Sequence, residues 1–237
     1  MCFSATASFT VAALLAPVSA YSLRIAKRTG ERWLPFAAYP LAFAIQQFIE
    51  GLVWLAINAD NQAMLAVTSR GFLFFSHFFW PAWAPFSSYC LERKRWKKTV
   101  LLALTVFGTA FGLSVCLPAL LKADWLSVAV VNGSLEYKTR LIYEGIVDRS
   151  TLRLVYAVVV VAALLLSSER LVNLFGLLIA ASVIFAHDQF YYAFISVWCY
   201  FAAVLSIYVA GMLTIVSRWT KHSRDTSLTI ERGALGK

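Results

Sequence analysis

Residues 99–121 read TVLLALTVFGTAFGLSVCLPALL, a run without one charged side chain, preceded by Arg93, Lys94, Arg95, Lys97 and Lys98 and followed by Lys122. A helix rises about 1.5 Å per residue and the hydrocarbon core of a bilayer is about 30 Å thick, so about 20 such residues suffice to cross it. A helix of that length on a soluble domain would carry a charged face at helical spacing, and this one carries none. The stretch specifies a membrane span.

Working outward, six further apolar segments lie at 5–23, 34–57, 71–91, 151–168, 171–186 and 190–216. The expected fold is an all-α membrane protein, a seven-transmembrane-helix bundle filling residues 1–216 as one domain, with a basic tail at 217–237. That tail reads as disordered and drawn to anionic lipid headgroups. Composition agrees: 60% of the 237 residues are hydrophobic and 14% charged, against about 25% charged in soluble domains. The net charge of +9 does not point to nucleic acid, because the basic residues gather at the ends of apolar runs, where they set topology. Fifteen of them fall on one set of connections (24–32, 93–98, 170 and the tail) and five on the other, between 122 and 153. The richer side is cytoplasmic by the positive-inside tendency, which puts the N-terminus outside and the C-terminus inside. The first segment lacks a basic leader and a cleavage site, so it is read as helix 1. Four cysteines at irregular spacing predict no disulfide framework.

The outer connection 122–150 alternates apolar and polar residues on either side of Asn132-Gly133. This predicts a β-hairpin between helices 4 and 5, with a type I′ turn pairing Val130 with Leu135 and Val128 with Tyr137. Gly108 and Gly112 form a GxxxG, and Gly176 with Ala180 repeats the small-residue spacing. Both favour close helix packing inside one bundle, with an oligomer seam through Gly108 and Gly112 as the alternative.

Ionisable side chains inside a span cost about 2.5–3.5 kcal/mol or more, so each needs a reason. Gln46, Gln47 and Glu50 share a face of helix 2; Arg70 and His77 share one of helix 3; His187, Asp188, Gln189 and Tyr192 surround the turn between helices 6 and 7. Counted by helical rise, Glu50, His77 and His187 approach one depth near the outer side, where Cys2 also lies. Loss of Met1 would give Cys2 an α-amine beside its thiol. Cys2, Glu50, His77 and His187 are a ligand set suited to Zn²⁺, although no two of them share a helix at ligand spacing. The alternative is structural: Glu50 pairs with Arg70 or a Gln, His77 bonds to Glu50, and His187 with Asp188 forms a solvated helix cap. Pro81 and Pro85 should kink helix 3 below His77.

At Met1-Cys2-Phe3-Ser4-Ala5, Ala7-Ser8-Phe9, Gln46-Gln47-Phe48-Ile49-Glu50-Gly51 and Ser76-His77-Phe78-Phe79-Trp80-Pro81, the chain resembles a family of uncharacterised bacterial multi-pass membrane proteins whose chains begin in this way. The resemblance implies a bacterial inner-membrane setting and brings no activity. A retinal protein is excluded by the absence of Lys from 190–216. The ceramidase and adiponectin-receptor class resembles this chain in helix number but uses three His, whereas here only His77, within an apolar segment, and His187, at the end of one, are placed for the membrane, His222 lying in the tail.

Two functions are expected from these residues. In the first, an outer-leaflet zinc site of His77, His187 and Cys2 activates water for hydrolysis of lipid-like or amide substrates, with Glu50 or Asp188 as ligand or base. In the second, a proton-coupled transporter or sensor uses Glu50, Arg70, His77 and Asp188 to hold a small solute without catalysis.

Overall fold

The computed structural model describes residues 4–235. Helix α1 (Ala5–Thr29) starts on Ser4, whose side chain accepts the Ala7 N–H, and ends at Gly30, which adopts φ +144°. It is longer than expected because Arg24, Lys27 and Arg28 extend it past the apolar stretch. A short turn α2 (Leu34–Ala37) leads into α3 (Tyr39–Asn58), which carries the Gln46, Gln47 and Glu50 face.

The third apolar segment is not one regular helix. Helix α4 (Gln62–Leu73) begins on Asn61, whose side chain accepts the Met64 N–H. A π-helical turn follows over Phe74–Phe79, and α5 (Trp80–Leu91) completes the segment. The Trp80 N–H reaches the Phe75 carbonyl, five residues back. The break in regularity therefore lies in the turn that contains His77, just before Pro81, rather than below His77 as expected.

Helix α6 (Arg95–Leu121) packs on this broken segment, and its glycines explain how. A Cβ at Gly108 would collide with the Pro81 carbonyl, and one at Gly112 would lie 3.0 Å from the His77 carbonyl. The GxxxG face is thus covered by the chain's own helix. Gly176 does the same, since a Cβ there would stand 2.9 Å from Leu164 Cβ.

Strands β1 (Leu126–Val131) and β2 (Ser134–Thr139) pair antiparallel, Val130 opposite Leu135 and Val128 opposite Tyr137. Asn132 and Gly133 turn between them with φ of 48° and 76°, the two positive angles a type I′ turn needs. Leu135 and Tyr137 are buried, and the Tyr137 ring stacks on Phe72 with centroids 4.6 Å apart. The hairpin is therefore clamped onto the bundle by β2.

Helices α7 (Arg149–Leu166), α8 (Arg170–Gln189), α9 (Phe194–Leu205) and α10 (Ile207–Leu235) complete the fold. Helix α10 runs on to Leu235, so the stretch expected to be disordered continues a helix; it contains no proline to stop one. Among the described residues, six helices are long and apolar enough to cross a membrane, and the α4–π–α5 segment is a seventh apolar stretch broken by its π turn. The core where they meet is aromatic: Phe43 stacks on Trp80 at 3.9 Å between centroids, and Tyr39 and Phe175 pack beside them.

At one end of the bundle, three connections are tied together by a carboxylate and an ion pair. Glu92, at the end of α5, accepts the backbone N–H groups of Arg93 and Lys94 on Oε1, both at 2.8 Å, and that of Ser168 on Oε2 at 2.9 Å. Burial opposes its ionisation, but these donors outweigh that and hold the carboxyl below its ordinary range. Arg32 and Glu169 approach to 3.7 Å in the same region. The hairpin lies at the other end with Tyr191, whose carbonyl accepts from Arg153.

Candidate functional site

The most polar part of the interior is built around Glu50, only 2% exposed. Its carboxyl accepts from Gln47 Nε2 at 3.0 Å, one helical turn back on α3, and from Ser196 Oγ, which α9 brings across. Gln46 on the same face accepts the Trp80 indole N–H at 2.7 Å, which ties α3 to α5. Tyr137 from β2 and Cys199 from α9 line the cavity that adjoins this network. Four buried polar atoms of this group have no protein partner: Gln46 Nε2, Gln47 Oε1, Tyr137 OH and Trp198 Nε1. Orphans of this kind are rare in folded proteins, and a cluster of them marks a place for water or a ligand.

Between the hairpin and the bundle lies a cavity of about 90 Å³ lined by Tyr137, Trp198 and Cys199 together with His77, Arg149 and Arg153. His77 is 8% exposed and its Nδ1 meets Ser76 Oγ at 2.9 Å. The π turn places His77 here, because an extra residue per turn rotates its side chain away from the stripe that α spacing would give it. At the start of α7, Asp148 caps the helix by accepting the Ser150 N–H at 2.8 Å, and bonds from the Ser150 backbone and side chain hold its carboxyl below the ordinary value. Arg149 donates to the Thr139 carbonyl at 2.9 Å and pairs with Glu144 at 3.0 Å. One helical turn on, Arg153 lies over the rings of Tyr191 and Phe194.

The residues singled out from sequence do not all converge. Glu50, Gln46 and Gln47 form one network, and His77 faces the adjoining cavity. Arg70 is half-buried on α4 with its Nε unpartnered, and makes no ion pair with Glu50 among the described residues. His187 and Asp188 are exposed at the end of α8; the His187 ring meets Tyr191 and Phe194 edge-on, at 5.4 and 6.1 Å, and does not line the cavity. Tyr192 is partly buried against the core. Cys2 lies outside the described residues. Among the described residues, no three of His, Cys, Asp and Glu come together closely enough to hold a metal ion.

Ser196, Tyr137, Trp198, Arg149 and Arg153 were not anticipated as site residues. A lone serine in an aromatic run carries no signal of its own. The two arginines did carry one: spaced i, i+4 at the start of an apolar helix, they share a face as well as setting topology.

A family model described as a family of unknown function (DUF6629) matches residues 1–226. No curated protein and no solved structure matches the chain.

Proposed function

The chain belongs to that family of unknown function, so its own geometry must carry the reading, and from it we propose a proton-linked, solute-binding membrane protein, a transporter or sensor without catalysis. Its seven spans cross a bacterial inner membrane with the N-terminus outside. Three features support this topology: the α4–π–α5 segment is long enough to cross, the connections at 30–33, 92–94 and 167–169 share one end, and 15 of the basic residues fall on that side.

One observation carries the functional reading. Among the described residues the Glu50 carboxyl is held only by neutral donors, Gln47 and Ser196, in a region with four unpartnered polar atoms and near a cavity on the hairpin side. A carboxyl placed so deep serves a purpose other than stability, since it costs free energy whether it takes up a proton to stay neutral or is ionised without a cationic partner. Glu50 does not itself line the cavity; the titratable groups that do are His77 from the π turn, Tyr137 from the hairpin, Cys199 from α9, and Arg149 and Arg153 from α7. Gain or loss of a proton at Glu50 changes which of Gln47, Ser196 and the orphaned groups can bond to it, and so couples proton to occupant.

Infrared difference spectra of the protein in lipid nanodiscs test this. A protonated-carboxyl band that responds to pH in the wild type and is missing from Glu50→Gln is expected. Identical pH-dependent spectra in the two proteins would overturn the proposal.

A further inference from the structure

A second, smaller cavity of about 30 Å³ lies deeper in the bundle, among Tyr39, Phe43, Trp80 and Phe175. It shares Tyr156, Trp198 and Cys199 with the outer cavity, so the two chambers meet across these three side chains. Tyr156 and Trp198 stand edge to face there, with ring centroids 5.1 Å apart. The inner chamber is apolar in effect as well as by composition. The Tyr39 hydroxyl is taken by Ser87 Oγ at 3.1 Å and the Trp80 N–H by Gln46, which leaves ring faces to line the space.

The outer chamber has the opposite character. Arg153 forms no ion pair among the described residues. Its guanidinium donates to the Tyr191 carbonyl at 3.2 Å, while two ring faces flank it. A guanidinium carries five N–H donors and favours a carboxylate or phosphate. Tyr137 and Trp198, 7% and 6% exposed, add an unpartnered O–H and N–H from residues lining the same chamber.

We propose that the two chambers form one site for a single-chain amphiphile with an anionic head. The head lies with Arg153, Tyr137 and Trp198, and the chain passes Tyr156 into the inner chamber. This rests on the solute-binding reading above and names its ligand class. Two sources share the chemistry, a free alkyl carboxylate and an anionic lysolipid of the surrounding leaflet.

Binding of alkyl carboxylates from acetate to dodecanoate, with decanol as the neutral control, to the full chain in phosphatidylcholine nanodiscs tests it. Affinity should rise with chain length and then level off once the inner chamber is full, whereas partition into empty discs continues to rise by about fourfold per methylene. Arg153→Gln should weaken decanoate by about tenfold and leave decanol unchanged. Ala202→Leu, which fills the inner chamber, should move the plateau to shorter chains. If either variant misfolds, Arg153→Lys, which keeps the charge but loses the fork, supplies an intermediate loss. Nanodiscs doped with lysophosphatidylglycerol separate the sources: competition with decanoate assigns a resident lipid, and none assigns the free carboxylate.

Chain-length dependence that follows the empty discs throughout, or equal binding of decanoate and decanol in wild type and Arg153→Gln alike, would overturn the proposal. A carboxyl band still removed by Glu50→Gln in those same discs would then show that the ligand class alone had failed. Loss of that difference would mean that the proton-linked reading had failed with it.

Discussion

Glu92 gives the most exacting test of how the bundle is held together, because one carboxylate serves three backbone donors from two connections while only 4% exposed. A hydrogen bond to a charged group contributes about 1.5–3 kcal/mol, and less where water can replace it. In Glu92→Gln a single oxygen remains. It can serve either the Arg93 and Lys94 pair or Ser168, but not both, so about 2 kcal/mol should be lost. Glu92→Ala removes both acceptor oxygens and all three bonds and should cost about 4 kcal/mol, softened by water entering at the bundle end. At about 2–4 °C per kcal/mol for a chain of this size, the midpoints should fall by roughly 4–8 °C and 8–16 °C. The pH dependence has a definite sign. The folded carboxyl sits below its ordinary range, so the unfolded chain takes up the proton first. Its stabilisation is complete above about pH 5, the upper edge of the glutamate range, and drains away as pH falls through the folded pKa. Melting curves in nanodiscs at neutral pH and near pH 4 should therefore show a steeper acid loss in the wild type than in Glu92→Gln. If Glu92→Gln melts with the wild type at neutral pH and falls equally steeply in acid, the tie contributes nothing and the reasoning is refuted.

Other substitutions separate packing from propensity and structure from binding. Gly108→Ala should destabilise by about 1–3 kcal/mol through its collision with the Pro81 carbonyl. Gly211→Ala, with nothing near its added carbon, should be neutral or stabilise by up to about 1 kcal/mol; thermal melts of the pair decide whether helix contact or propensity governs. Gly133→Ala places a side chain at φ 76° and should cost about 1–2 kcal/mol, read as earlier proteolysis of the hairpin. Trp80→Phe strands the Gln46 carbonyl and should lower stability by about 1–3 kcal/mol. Tyr137→Phe removes a hydroxyl that has no protein partner, so melting should hold while decanoate binding weakens; a large loss of stability instead would mean that the hydroxyl is structural.

Much of the architecture was legible because a bilayer allows few arrangements of an apolar run, and Asn132-Gly133 marks its turn by chemistry alone. Helix ends were less so: α1 extends to Thr29 because basic side chains continue a helix as readily as they leave the lipid. The site was harder still. Depth along a helix can be counted from sequence, and counting set His187 near the level of His77, but the direction a side chain faces depends on packing, and His187 turns out to be exposed. Glu50 was marked by its cost, whereas its partner Ser196 sits 146 residues away and becomes visible only when α9 packs on α3. Glu92 stood beside a basic cluster and so resembled an ordinary interfacial charge, while its donors belong to backbone that no side-chain pattern reveals.

The π turn over Phe74–Phe79 makes the count of residues between Arg70 and Pro81 matter as much as their identity. Removing one residue from this turn would let it relax to regular geometry and swing α4 by about 100° relative to α5. Phe72 would leave the Tyr137 ring, and His77 would turn away from the cavity. Side chains here can be exchanged one for another with local effects, but a deletion acts on the whole upper half of the segment at once. A relative that shares the cavity should therefore tolerate substitutions in this stretch and preserve its length.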